Sequence, residues 1–383
     1  MFDFYREALS LAPGASLLRR QLHENPEVSF GEYKTCAFIR EQLDALGIPF
    51  EAAGDTGTIA VINKDKGGPI LALRADIDAL EITEKTDVPF KSKNPGVMHA
   101  CGHDAHTAAL LTAAKMLQLR SDEIPGAVKL IFQPGEETGY GAIKTIETGL
   151  LKDVNAFFGI HVNPDIPVGK IGIKRGGIMA GGNSLIITIK GKGGHGGYPH
   201  RTVDAIAAGA ELVEALQHIV SREVGPTEPA VLSICQFHAG TRDNIIAGEA
   251  RISGTVRVTT EETRSYIADA VRRITKGIAL AHRVEAEAIC EPVTPIMFNA
   301  PELYDTALKA AQRVIQDSPV DFTPQLGTED FSRYAKLAPV FFAFVGSGGG
   351  IPLHSDHFIL DEGAIAVGAA LYAGFVHSYF EQI

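Results

Sequence analysis

Met98-His99-Ala100-Cys101-Gly102-His103-Asp104-Ala105-His106 gathers a thiol, three imidazoles and a carboxylate into nine positions. The Ala-rich run that follows reads as a helix over 104–119. Cys101 and His103, one residue apart in a turn, offer sulfur and nitrogen donors within reach of each other. That set suits zinc or another borderline-soft divalent ion. The plain alternative is a buried thiol with capping histidines at a helix start, since free cysteine often behaves as a small core hydrophobe. The elements on either side decide between them.

Upstream, 3–22 and 31–46 read as amphipathic helices, the second stopped by Gly47 and Pro49. Short β-branched and aliphatic runs at 58–63 and 70–75 read as strands, the second running into Arg74-Ala75-Asp76-Ile77-Asp78. Downstream come strands at 127–132 and 156–160 with a helix between them. Strands alternating with helices call for a mostly parallel sheet covered on both faces. The pattern changes at 184–190, where a strand with apolar alternation leads into the glycine-rich stretch 191–197. A helix over 203–221, strands at 230–237 and 249–258, a helix from 260 and a strand at 284–290 complete a β-α-β-β-α-β unit. That is the ferredoxin-like arrangement. After Pro292 and Pro295 the first style resumes, with a strand at 339–345, the glycine loop 346–350 and His354-Ser355-Asp356-His357. The expected architecture is an α/β domain over 1–181 and 292–383, with an α+β domain inserted at 182–291.

Composition narrows the class. A chain of 383 residues exceeds one typical core. The net charge of −11 argues against nucleic acid or an anionic membrane as a partner. No apolar run reaches the roughly 20 residues that span a bilayer, and the start lacks a signal-peptide pattern. The cysteines, Cys36, Cys101, Cys235 and Cys290, are too few and scattered for a disulfide framework, so a cytoplasmic setting is expected.

In an open α/β sheet, functional groups gather beyond the carboxyl ends of strands. Asp76 and Asp78, Glu136 and Glu137, and His161 all fall where expected strands finish. His354 follows a later strand and its glycine loop. Six metal-favouring donors in such places are hard to attribute to solvated turns. On an extended segment, Glu136 and Glu137 point in different directions. One can then ligate an ion while the other acts as a base, the division that metal-assisted hydrolysis requires.

These segments, with Gly159-Ile160-His161, Gly254-Thr255-Val256-Arg257 and the 191–197 stretch, occur in the order expected of one family. The chain resembles the amidohydrolase branch of the aminoacylase and carboxypeptidase G-like metallopeptidases. That branch includes hippurate hydrolases, N-acetyldiaminopimelate deacetylases and plant indole-acetyl-amino-acid hydrolases. The resemblance implies hydrolysis of the amide of N-acyl amino acids or small peptide-like conjugates by metal-activated water. It implies two divalent ions (Zn, Mn, Co or Ni) bridged by Cys101. Glu137 and His354 complete one side, His103 and His161 the other. Glu136 is the general base, and Asp76 orients an imidazole ligand. His195, with Asn244, would steady the oxyanion. Arg257 is a candidate for the substrate carboxylate, but most strand arginines are structural ion-pair partners, and that structural role is the one expected of it. Two departures stand out: Gly135 where alanine is common, and Asp356 where proline is usual, which sets a negative charge near His354.

The apolar face of the 203–221 helix (Val203, Ile206, Ala207, Ala210, Val213, Leu216, Ile219, Val220) belongs to a domain too small to bury much on both sides. A homodimer through the inserted dimerisation and lid domain is therefore expected, delivering His195 to the partner's site. Among alternatives, Gly191-x-Gly193-x-x-Gly196 fits a dinucleotide fingerprint, but no acidic residue ends a second strand about 20 residues later. No G-x-S-x-G elbow supports a serine hydrolase. A cysteine hydrolase using Cys101 leaves Glu136, Glu137 and His354 unexplained, and a non-catalytic metal-binding protein leaves Glu136 idle.

Overall fold

Near-continuous apolar strands are those buried on both faces of a sheet, and the chain's first unit is built on them, with Arg74 and Lys129 as buried charged exceptions. The computed structural model describes residues 3–382, which form two compact units. The first runs to Gly176 and resumes at Phe298–Phe322 and from Asp330 onward. The second comprises Gly177–Met297 and Thr323–Glu329.

The first unit holds strands β1 (Phe50–Ala53), β2 (Gly57–Ile62), β3 (Ile70–Asp76), β4 (Ala127–Gln133) and β5 (Ala156–Asn163). Its sheet runs β1-β2-β4-β3-β5, then Val340–Gly346, Ile171–Gly172 and Pro319–Val320. The four neighbours β4, β3, β5 and Val340–Gly346 are mutually parallel. β1 and β2 extend the sheet in antiparallel fashion. The chain leaves β3 for the strand on one side and returns to the strand on the other, which opens a crevice at the carboxyl end of β3. Helices α1 (Phe4–Glu24), α2 (Tyr33–Ala45) and α3 (His103–Gln118) belong to this unit. α3 is buried nearly all round, packed against α1 and the closing helix Gly363–Phe380. That closing helix is long and apolar enough to cross a bilayer, but 89% of it is buried inside the fold, which makes it a core element.

The second unit contains a four-stranded antiparallel sheet in the order Ala230–Ala239, Glu249–Val258, Gly181–Lys190, Glu285–Thr294. Its first strand lies between the third and fourth, as in the ferredoxin-like arrangement. Helices Ala205–His218 and Glu261–His282 supply Leu212, Leu216, Ile267 and Val271 to its core. Thr323–Glu329 joins this unit because Gln325 exchanges backbone hydrogen bonds with Ile178 and Ala180 at 2.9 and 3.0 Å.

Candidate metal centre

Each of the four parallel strands delivers a donor to the same end of the sheet. β3 ends at Asp76, and Asp78 follows it. β4 leads through Pro134 and Gly135 to Glu136 and Glu137. Arg74 pairs with Gly159, so His161, two residues on, sits level with the end of β3. The strand was expected to stop at residue 160; it continues to Asn163, which places His161 inside β5. The strand Val340–Gly346 leads to His354, which adopts a left-handed backbone (φ 64°) uncommon for a residue with a side chain. Its amide donates to the Ala100 carbonyl at 2.8 Å, which ties it to the Cys101 segment.

Gly102 brings Cys101 and His103 together. Its φ of 88° reverses the chain at the N-cap of α3, and a Cβ there would lie 2.5 Å from Val162 Cγ2. Glu136–Thr138 is not extended, as expected, but a 3-10 turn behind left-handed Gly135. The two glutamates diverge because successive residues of such a turn are about 120° apart.

Cys101 Sγ lies 3.4 Å from His161 Nε2 and 3.3 Å from His354 Nε2. Glu137 Oε1 lies 3.6 Å from His354 Nε2 and 3.9 Å from His103 Nε2. Cys101, His103 and His161 form one group able to hold an ion. Cys101, Glu137 and His354 form a second, so the thiol belongs to both. Glu136 lies beside His103 and Glu137 in a third group.

The imidazoles are set for coordination. His103 Nδ1 donates to the Asp78 carbonyl at 2.9 Å, with Asp78 Oδ1 at 3.2 Å. His161 Nδ1 donates to the Val162 carbonyl at 2.7 Å. Each bond fixes the tautomer that leaves Nε2 with its lone pair turned inward. His103 Nε2 and Glu137 Oε1 are buried without a hydrogen-bond partner. Orphans of this kind demand an explanation, and a divalent cation supplies one, so these residues fit a metal. Electrostatics agree: burial opposes protonation of His103, yet Asp76 and the neighbouring Cys101 and Asp78 hold its pKa well above the ordinary value. The cage attracts a cation. Burial pushes the Cys101 thiol up and holds His161 well below its usual range.

Asp76 faces two imidazoles, and its Oδ2 lies 3.6 Å from His103 Nε2. Its Oδ1 accepts from His106 Nδ1 at 2.6 Å, while His106 Nε2 accepts from the Val162 amide at 2.9 Å. Both ring nitrogens of His106 are thus used. Asp78 orients His103 through its backbone carbonyl, with its carboxylate Oδ1 at 3.2 Å as the longer contact, and its Oδ2 takes the Glu137 amide at 3.0 Å and the Ser29 hydroxyl at 2.6 Å. Behind Asp76 lies a buried network missing from the sequence reading. Arg74 donates to Asp76, Gln133 and Asp330 at 2.7, 3.1 and 2.9 Å. Burial pushes Asp330 up to about 6 against the pull of Arg74. A Glu-Asp pair in an aperiodic segment gives no sign of such a role. The charge of Asp356 is met by Lys85 at 2.7 Å and His357 at 2.6 Å. His99 is buried without partners for either ring nitrogen.

In the second unit, His195 is exposed and pairs with Ile245 in a two-stranded ribbon. The glycine stretch is therefore pinned: Gly196 N donates to the Asn244 carbonyl at 2.8 Å, and Gly197 N to His195 Nδ1 at 3.0 Å. Arg257 donates to the Thr255 hydroxyl and the Val256 carbonyl. Among the described residues it has no carboxylate partner, so the ion-pair role is not the one it plays.

A thiol common to two donor groups, with two adjacent carboxylates beside it, makes a site that fits two metal ions. Residues 72–378 match peptidase family M20/M25/M40. The chain is 42% identical to N-acetylcysteine deacetylase of Bacillus subtilis strain 168 over 362 residues, covering 93% of this chain and 94% of that protein. It is 37% identical to the hippurate hydrolase of Campylobacter jejuni over 380 residues, covering 98% and 99%. A solved dinuclear metal-binding peptidase of the M20 family from Bacillus subtilis matches with a TM-score of 0.89 at 38% identity, over 98% of this chain and 99% of that one. The chain belongs to peptidase family M20/M25/M40, and it is a metal-dependent amidohydrolase with a two-ion centre.

Proposed function

We propose that the chain hydrolyses the amide of N-acyl amino acids or small peptide-like conjugates, with Cys101, common to two donor groups, among the residues that would hold two divalent ions. The observation that carries this reading is the position of Cys101 in both donor groups. Glu137 and His354 complete one ion's ligands, His103 and His161 the other's. The bound ions would supply Lewis acidity, lowering the pKa of a water and polarising the amide carbonyl. Glu136, in its turn beside the ligands, takes the proton of the attacking water and returns it to the departing amide nitrogen. Cys101 is thereby committed as a ligand, which removes it as a nucleophile. The deacetylase and hippurate hydrolase named above support an N-acyl amino acid as substrate. The test is a screen of N-acetyl, N-benzoyl and indole-acetyl amino acids with metal-reconstituted protein. Cleavage of none of them by protein holding two ions would overturn the substrate class.

The reading extends to a homodimer through the second unit, with His195 and Asn244 steadying the oxyanion in the partner's site and Arg257 meeting the substrate carboxylate. Two features support it. Helix Ala205–His218 buries Ala205, Ala208, Leu212 and Leu216 but leaves Ile206, Ala207 and Ala210 exposed. Ala230–Ala239 is an edge strand with Phe237 also exposed. Mixing inactive His195→Ala and Glu136→Gln subunits tests the arrangement: exchange should restore activity by making one fully wild-type site per mixed dimer. Proven exchange without activity would overturn action in trans. The net charge and the free cysteines fit a cytoplasmic enzyme without nucleic-acid or membrane partners.

A further inference from the structure

α1 ends near His23, a buried imidazole where three segments meet. Its Nδ1 lies 2.8 Å from Asp104 Oδ2, and its Nε2 lies 3.3 Å from Glu84 Oε1. Asp104 follows His103 in the first turn of α3, and it also accepts from Arg19 Nε at 2.8 Å. Glu84 is buried in the connection between β3 and α3, where it accepts from Ser92 N at 2.7 Å and from the Thr86 hydroxyl. The next residue, Lys85, donates its amide to the Asp356 carbonyl at 2.7 Å. Asp356 stands two residues from His354. One imidazole therefore joins the neighbour of His103 to the segment that holds His354.

We propose that His23 is a positioning residue, which sets the separation of the two sides of the metal centre through Asp104 on one side and Glu84, Lys85 and Asp356 on the other. This rests on the ligand assignment above. The connection that carries Glu84 has little regular structure of its own: a single bridge, Leu80 to Met98, ties its ends. Backbone bonds fix it at Ala79, Lys85 and Lys93, which donate to the Glu27, Asp356 and Glu24 carbonyls, and the Glu84 carboxylate adds the side-chain tie to His23. If His23 is replaced, Asp104 keeps Arg19 and Glu84 keeps Ser92 N and the Thr86 hydroxyl, so each segment retains its own anchor and only the ring that joins them is lost. Loss of the ring therefore frees the spacing between the Asp104 turn and the segment that leads, through Lys85 and Asp356, to His354. Metal affinity depends steeply on such supporting contacts, typically by about 10- to 100-fold.

The test uses full-length protein stripped of metal: wild type, His23→Gln and Glu84→Gln. Each is titrated with Zn²⁺ against a chromophoric chelator, with folding checked by circular dichroism. Wild type should take up two ions. Both variants should bind the first with near wild-type affinity and the second about 10-fold or more weakly. Folded variants that keep both wild-type binding steps would overturn the proposal and leave His23 a packing residue. Should His23→Gln fail to fold, Glu84→Gln decides by the same criterion. Wild type that binds no Zn²⁺ would overturn the ligand assignment, and the clamp with it. Two wild-type steps unchanged in the variants would overturn the clamp alone.

Discussion

In the proposed assignment Glu136 and Glu137, neighbours in sequence, have opposite duties, and substitution should separate them. Glu136→Gln should keep two ions per chain while kcat falls about 10²-fold or more, the usual size of a lost general base. Metal analysis and steady-state kinetics on the same preparation check this; loss of metal would reverse the assignment of the pair. Cys101→Ser should instead weaken metal binding, because a hydroxyl is a poorer ligand than a thiolate for a borderline-soft ion. The shorter bond of the His103 ring goes to the Asp78 carbonyl, which alanine would keep, while the Asp78 carboxylate lies 3.2 Å from His103 Nδ1 and takes the Glu137 amide. Asp78→Ala should therefore weaken metal binding by about 10- to 100-fold, read by chelator competition, even though Asp78 belongs to neither donor group.

Elements carry two further expectations. Gly102 caps α3 in a conformation that side chains avoid, against Val162. Gly102→Ala should cost about 1–3 kcal/mol of stability from backbone strain, seen as a lowered Tm, and should pull Cys101 and His103 apart with loss of metal. At the end of α1, the His23 pKa is raised: burial opposes protonation, but Asp104 and Glu84 outweigh it and the nearby Arg19. A raised folded-state pKa stabilises the protein below the unfolded value and ceases to do so as pH climbs through the folded value. The stability margin of wild type over His23→Gln should therefore be full below about pH 6.5 and shrink as pH rises above it. Chemical denaturation across that range measures the margin. A margin growing with pH would contradict the protonated ring.

On the scale of the whole molecule, the two units divide the labour. A buried parallel sheet holds the donors, while the second unit presents an exposed apolar stripe and an open sheet edge. If that surface is a homodimer interface, Ile206→Glu should shift sedimentation toward monomer. Because Ile206 is exposed, the substitution should leave the Tm of the metal-loaded chain within a few degrees, as surface changes usually do.

Much of this was legible in the residues themselves. Uninterrupted aliphatic runs ended in charged clusters, and in a doubly covered parallel sheet those ends can only meet at one edge. That is why the sequence groups Glu136, Glu137, His161 and His354 at one edge, while the family resemblance supplies the sharing of Cys101 and the pairing of His103 with His161. Periodicity also marked the second unit, since its strands alternate in burial. The tertiary structure alone decided which carboxylate serves which ring. Asp76 and Asp78 are equivalent as sequence, yet one turns to His106 and the other to His103, because the strand ends between them. Tertiary structure alone also showed Glu136 in a tight turn. It drew Arg74, Asp330, His23, Asp104 and Glu84 into buried networks as well. Their partners lie up to 256 residues apart, and no local pattern encodes a contact that only packing creates.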